Sequence, residues 1–150
     1  MSLSSWRENG WLQPHQVSDA EIKDLLKIAE RDLKDCKVKG ISLDWQFNIA
    51  YNAALQLARA VLFASGYRAS HESHHHRVIQ SLALTLKLDP LAVKKFDMFR
   101  TKRNFSDYEA AGAVSEVEVR EMAQLAERIR EVAYHLLKEK RPKATTDSLH

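Results

Sequence analysis

Between Lys87 and Arg103 the chain places six basic residues against two carboxylates, Asp89 and Asp97. That stretch carries a net +4, more than the +3 of the whole 150-residue chain. From Asn104 onward seven basic residues meet nine acidic ones. Arginine offers phosphate a planar fork of donors and lysine a point charge. Lys94, Lys95, Arg100, Lys102, Arg103 and Asn104 are therefore candidate phosphate or nucleic-acid binders, with Phe96, Phe99 and Phe105 interleaved as stacking groups. The competing reading is a solvated basic face over buried phenylalanines. Five residues after Arg103 stands Tyr108. A phenol of pKa about 10 donates a hydrogen bond or acts as an acid, but is a poor base at neutral pH. In the alternative, Arg103 caps the end of its helix while Asp107 and Tyr108 form a turn.

A second polar set lies upstream. Asn48, Asn52, Gln56 and Arg59 recur at four, four and three, forming one stripe on an otherwise apolar helix. Buried amides must be hydrogen-bonded, so the stripe either ties helices together or lines a wet groove. His71, His74, His75 and His76 invite a metal reading, because the first three share a helical face. No cysteine joins them, so an exposed helix start is the expectation and no metal or cofactor is assigned. His135 is expected to be half-buried on the last helix. The single cysteine, Cys36, is expected to be a buried packing residue.

These groups need elements to hold them. Four glycines and three prolines stand where average usage gives about eighteen such residues, so connections are few and helices long. Residues 1–17 read as an irregular lead-in whose Trp6 and Trp11 pack on the domain. Ser18 and Glu21 have the spacing of a capping box, opening a helix whose apolar stripe runs from Ile22 to Cys36. A central helix spans Ser42 to Ser65 and ends at Gly66. A third runs from Ser70 to Lys87, and Asp89-Pro90 restarts a fourth that reaches Arg103. An irregular stretch, Asn104 to Val114, precedes a second capping box at Ser115 and Glu118. The last helix ends near Lys140, and 141–150 form a frayed tail. The fold expected is all-α: an antiparallel up-and-down bundle of four long helices plus one short or broken helix, occupying 18–140.

Hydrophobic residues make up 45% and charged residues 29%, which excludes wholesale disorder. No signal pattern and no apolar run of about 20 residues stands out, so a cytoplasmic protein without a membrane partner is expected.

At this point the chain resembles the HEPN family. Three features carry the resemblance: the Ala- and aromatic-rich stretch Asn48 to Gly66, the His-containing helix around His76-Arg77-Val78-Ile79, and the element Arg103-Asn104 to Tyr108 ahead of the last helix. It covers about Asp19 to Lys138. It implies a helical bundle that forms a homodimer, often alongside a small nucleotidyltransferase in a toxin–antitoxin-like pair. It further implies that active members are metal-independent ribonucleases, in which Arg and a His four to six residues later form a composite site between two subunits. Here Arg103 and Tyr108 take those positions, with Tyr where the motif has His. The Asn48, Asn52, Gln56 and Arg59 stripe would line the same groove.

Three functions follow from this reading. The first is a module that dimerises and binds RNA, nucleotide phosphate or a nucleotidyltransferase partner without efficient catalysis. The second is an RNA-cleaving toxin using Arg103 and Tyr108. The third is a protein adaptor with no nucleic-acid role. Tyr108 favours the first over the second.

Overall fold

Thirteen of the twenty-two residues of one helix, Leu43–Ala64, are buried, and the rest of the molecule is arranged round it. The computed structural model describes residues 1–71, 74–108 and 114–145, and for 104–108 the backbone alone. In chain order the elements are α1 (Leu3–Glu8), β1 (Leu12–Pro14), α2 (Asp19–Asp35), α3 (Leu43–Ala64), β2 (Tyr67–Ala69), α4 (His74–Thr85), α5 (Pro90–Tyr108), α6 (Glu116–Lys140) and α7 (Pro142–Thr145). The fold is an all-α helical bundle with one small two-stranded sheet.

The helices start where capping chemistry permits. Ser18, Ser42 and Ser115 each take extended backbone and accept the amide of the residue three on, satisfying a donor the helix leaves orphaned. Ser115 and Glu118 complete a reciprocal box. Ser18 does so by half: Glu21 turns instead to His15, at 2.9 Å. Gly66, at φ +97°, closes α3 in the left-handed region.

Side-chain pairs give the packing directions. Asp32 meets Asn52, and Gln46 reaches the Val38 carbonyl, so α2 and α3 are antiparallel. Arg130 meets Glu30 and Arg141 meets Asp19, so α6 runs against α2. Lys95 pairs with Glu121 and Lys102 with Glu118, so α5 runs against α6. Phe47, Tyr51, Phe96, Met122 and Ile129 are fully buried at the centre. Burying a side chain of this size contributes roughly 1.5–3 kcal/mol each.

Four stretches differ from the sequence expectation. Residues 1–17, read as irregular, hold α1 and β1; β1 pairs antiparallel with β2 in the register Leu12↔Ala69 and Pro14↔Tyr67. A three-residue strand is too short to show alternation, which explains why it left no signal. Within this segment Trp6 is buried, and the Arg77 guanidinium sits 3.7 Å from the centre of the Trp11 ring. The third helix starts at His74 rather than Ser70, because 67–69 are strand. The fourth helix continues to Tyr108, so 104–108, expected to be irregular, are helical. In the stretch read as a frayed tail, α7 buries Ala144 and Thr145.

Candidate anion-binding site

The short connection through β2 lays α4 beside α3, and the hairpin from α4 into α5 brings the basic helix back against both. Where the three meet, His74, His75, His76 and Arg100 line a cavity of about 390 Å³. Asp97 organises its α5 wall. Its Oδ1 accepts from Arg100 Nε, one helical turn on, and lies 2.9 Å from His76 Nδ1. Burial opposes ionisation of Asp97, but the bonds from Arg100 and His76 outweigh it and hold the carboxyl below the usual carboxylate range. An ionised carboxylate only accepts, so Nδ1 of His76 carries the proton and Nε2 is left to face outward chemistry.

His75 lies at the focus of the positive charge. Burial, then the charges of His74, Arg103, Arg59 and Arg100, push its pKa down to about 4, leaving a neutral imidazole at pH 7. Its ring meets that of His74 edge-on at 4.1 Å. On the α3 side the Arg103 guanidinium covers the Tyr51 ring at 5.1 Å. Burial pushes the Tyr51 phenol up to about 12, against the opposing charges of Arg103 and Arg100. Its hydroxyl is buried and meets no hydrogen-bond partner among the described residues.

The basic helix therefore divides its charges. Arg100 and Arg103 turn toward α3 and α4. Lys95 and Lys102 turn the other way and pair with carboxylates of α6. Lys94 is exposed. Of the candidate phosphate binders, Arg100 lines the cavity and Arg103 lies on Tyr51 of α3, while Lys95 and Lys102 face α6. The side chains of Asn104 and Tyr108 lie outside the described residues. Along a helix of 3.6 residues per turn, five residues place the Tyr108 Cα about 140° round α5 from that of Arg103.

Three residues of the polar stripe, Asn52, Gln56 and Arg59, form a continuous hydrogen-bonded ladder. Asn52 donates to Asp32 at 2.7 Å, Gln56 to Asn52 at 3.0 Å and Arg59 to Gln56 at 2.7 Å. Arg31 closes its α2 end on Asp32. Asn52 thus ties α3 to α2, Gln56 links it along α3 to Arg59, and Arg59, at the far end, reaches a second cavity of about 220 Å³ that His74 also lines.

The histidines do not share one helical face, because His71 precedes α4. Among the described residues no group of three His, Cys, Asp or Glu side chains is placed to hold a metal ion. His135 is exposed and Cys36 is buried. Among the described residues no helix is long and apolar enough to cross a membrane.

Sequence reasoning missed Asp97 and His75 as members of the site. Asp97 had entered only as a charge to be subtracted, although its spacing of three from Arg100 is that of a helical ion pair. The role of His75 depends on arginines from two other helices, which no local pattern reveals.

Comparison with curated proteins finds no match for the chain. The family model of the HEPN domain matches residues 22–139, from the first turn of α2 to the end of α6. That span covers every helix that builds the site, and the chain belongs to the HEPN family.

Proposed function

We propose that this domain binds phosphate groups of RNA or nucleotides in the groove between α3, α4 and α5, acting as a homodimer without efficient catalysis. The observation that carries the reading is that Arg100 lines one cavity with His75 and Arg59 a neighbouring one, the two sharing His74, while Arg103 lies on the Tyr51 ring behind them. Guanidiniums gathered at a cavity favour a bound anion, and a phosphate accepts several charge-assisted hydrogen bonds from them. Homodimerisation rests on family membership, together with large apolar side chains exposed on the groove's own helices, Trp45 on α3 and Met98 on α5. A nucleotidyltransferase partner is the further assignment that goes with the family.

The test is binding of a short single-stranded RNA, followed by fluorescence anisotropy as salt is raised. Three phosphate contacts on a single strand give a slope of log K against log salt of roughly −2. Replacing Arg100 or Arg103 by Ala lowers that slope by roughly 0.7 each. A salt-independent signal, or none, leaves the adaptor reading in possession. Light scattering on the same sample reads the dimer directly.

RNA cleavage is the second reading, and one observation favours it. His76 is oriented by Asp97 beside Arg100, so an imidazole stands next to a guanidinium at the cavity. Imidazoles as a class exchange protons with a 2′-hydroxyl more readily than phenols do. Cleavage by the wild type that disappears in both His76→Gln and Arg103→Ala selects this reading. Cleavage that persists in both belongs to a contaminant.

A further inference from the structure

The first turn of α4 carries three histidines, and its own residues do little to seat it. The first buried side chain of the helix is Val78, so His74, His75, His76 and Arg77 bring no apolar anchor. No acidic residue stands in that turn to suit the positive end of the helix. Two of its side chains reach other elements instead. His76 meets Asp97 of α5. Arg77, about 100° further round the helix, lays its guanidinium on Trp11 at 3.7 Å, with the Trp6 ring at 5.9 Å.

The two tryptophans belong to a strap, residues 3–14, made of α1 and β1 and lying ahead of the span that the HEPN model matches. Trp6 and Leu12 are buried, and the Trp6 and Trp11 rings meet edge-on at 5.6 Å. Beyond the β1–β2 pair, Ser70 donates its amide to the Trp11 carbonyl at 3.0 Å and its hydroxyl to the Gly10 carbonyl at 2.8 Å. The strap therefore grips the chain four residues ahead of α4, at Ser70, and again inside its first turn, at Arg77. A flat guanidinium gains from the negative face of an indole in a way that the compact ammonium of lysine does not reproduce in plane.

We infer that the strap sets the direction of the first turn of α4 and so holds His76 against Asp97, with Trp11 and Arg77 as positioning residues. His76 and Arg77 are consecutive, so the turn cannot rotate away from one partner without moving the other. A three-residue strand pair and one ring stack are a small attachment beside the buried length of α3, so the strap opens before the bundle unfolds. Its release uncouples the imidazole from the carboxylate while α2, α3 and α6 stay packed. The strap thus switches the histidine end of α4 between a fixed and a free state, whatever occupies the groove.

The test uses two NMR readouts on the full chain. Nitrogen shifts of the His76 ring in mildly alkaline solution, where imidazoles are neutral, report which ring nitrogen carries the proton. Amide exchange of Val78 and Ile79, whose N–H groups bond the His74 and His75 carbonyls in an α-helix, reports the turn itself. In the wild type the proton is expected on Nδ1. Trp11→Ala should move it toward Nε2 and speed exchange of Val78 and Ile79 by about 2- to 30-fold, the range that one cation–π contact contributes. Ala126 and Ile129 of α6 should exchange as before. Arg77→Lys, which keeps the charge and loses the plane, should act in the same direction. Trp11→Phe keeps a ring face and should stay near wild type. Arg7→Gln, an exposed charge change on α1, should alter neither readout. If Trp11→Ala does not fold, Arg77→Lys decides, since Arg77 is only partly buried. An unchanged tautomer and unchanged exchange in Arg77→Lys overturn the inference. So does exchange that quickens equally in α6, an Nε2 proton in the wild type, or an Arg7→Gln effect equal to that of Arg77→Lys.

Discussion

His76 Nδ1 stands 2.9 Å from Asp97 Oδ1, joining α4 to α5 across the mouth of the site. The same oxygen receives Arg100 Nε, so one carboxylate sets the direction of an imidazole and a guanidinium at once. Asp97→Asn keeps the shape and removes the charge. Charge-assisted bonds contribute about 1.5–3 kcal/mol, and this pair is partly exposed, so the expected loss of stability is about 1 kcal/mol. The sign with pH is fixed by the lowered carboxyl of Asp97. Its contribution is fully present above the ordinary carboxylate pKa of about 4 and disappears as pH falls through its folded value. Wild-type and Asp97→Asn melting curves should therefore differ at pH 7 and converge in strong acid. A constant gap over that range would show that the charge is not what matters.

His75 acts in a higher window with the same sign. With a folded pKa of about 4 against an ordinary 6.5, both states are neutral above pH 6.5 and contribute no difference. Below that the unfolded chain takes up a proton that the folded one refuses, so stability falls between about pH 6.5 and 4 and then levels. His75→Gln should flatten that part of the profile. Bound phosphate adds negative charge beside the ring, so the His75 pKa rises on binding and the complex takes up a proton on that imidazole in mildly acid solution. Ring carbon shifts in NMR, with and without phosphate, measure both values. An unbound His75 that titrates at its ordinary pKa would refute the burial and the neighbouring cations that hold it neutral.

The ladder across α2 and α3 makes a sharper distinction. Asp32 is buried, and Asn52 is its hydrogen-bond donor from α3. Asn52→Ala leaves the carboxylate short of that donor, at an expected cost of about 1–3 kcal/mol. Gln56→Ala interrupts the ladder nearer the cavity and releases Arg59. If the ladder serves the site as well as the core, Gln56→Ala lowers phosphate affinity several-fold while Asn52→Ala mainly lowers the melting temperature. Chemical denaturation and a phosphate titration, run on both variants, separate the two effects.

How much of this was legible in the sequence depends on range. Caps at Ser18 and Ser115, the start of the central helix at Ser42, the terminator Gly66 and the restart at Asp89-Pro90 are local chemistry, and each appears at its expected place. The all-α class follows from them. The failures are non-local. The β1–β2 pair exists because residues 12 and 69 meet, and the continuation of α5 through 104–108 overrides a run of weak helix formers. The site shows the same division. Arg100 and Arg103 were visible as charge, and Arg59 as the end of a stripe. That Lys95 and Lys102 face α6, while Asp97 turns to His76, depends on how α5 rotates between two neighbours.

The turn that sets this rotation carries a residue in an unfavourable conformation. Lys87, between α4 and α5, has φ +53°, in the left-handed region that glycine adopts freely and other residues adopt at a cost of about 1–2 kcal/mol. It is held there by its neighbours: Leu86 and Leu88 both donate their amides to the Leu82 carbonyl and both bury their side chains. The chain accepts the strain because Leu88 must turn inward before Asp89 and Pro90 can start α5 in the register that brings Asp97 to His76. Lys87→Gly removes the steric part of that cost, partly offset by the greater freedom glycine has when unfolded, so a net gain of about 0.5–1 kcal/mol is expected. Lys87→Val, with a branched Cβ at the same angle, should lose about as much or more. Phosphate affinity should be unchanged in the glycine variant, since the register is preserved. A glycine variant no more stable than wild type would show that the turn is set by the buried leucines with no strain left to relieve.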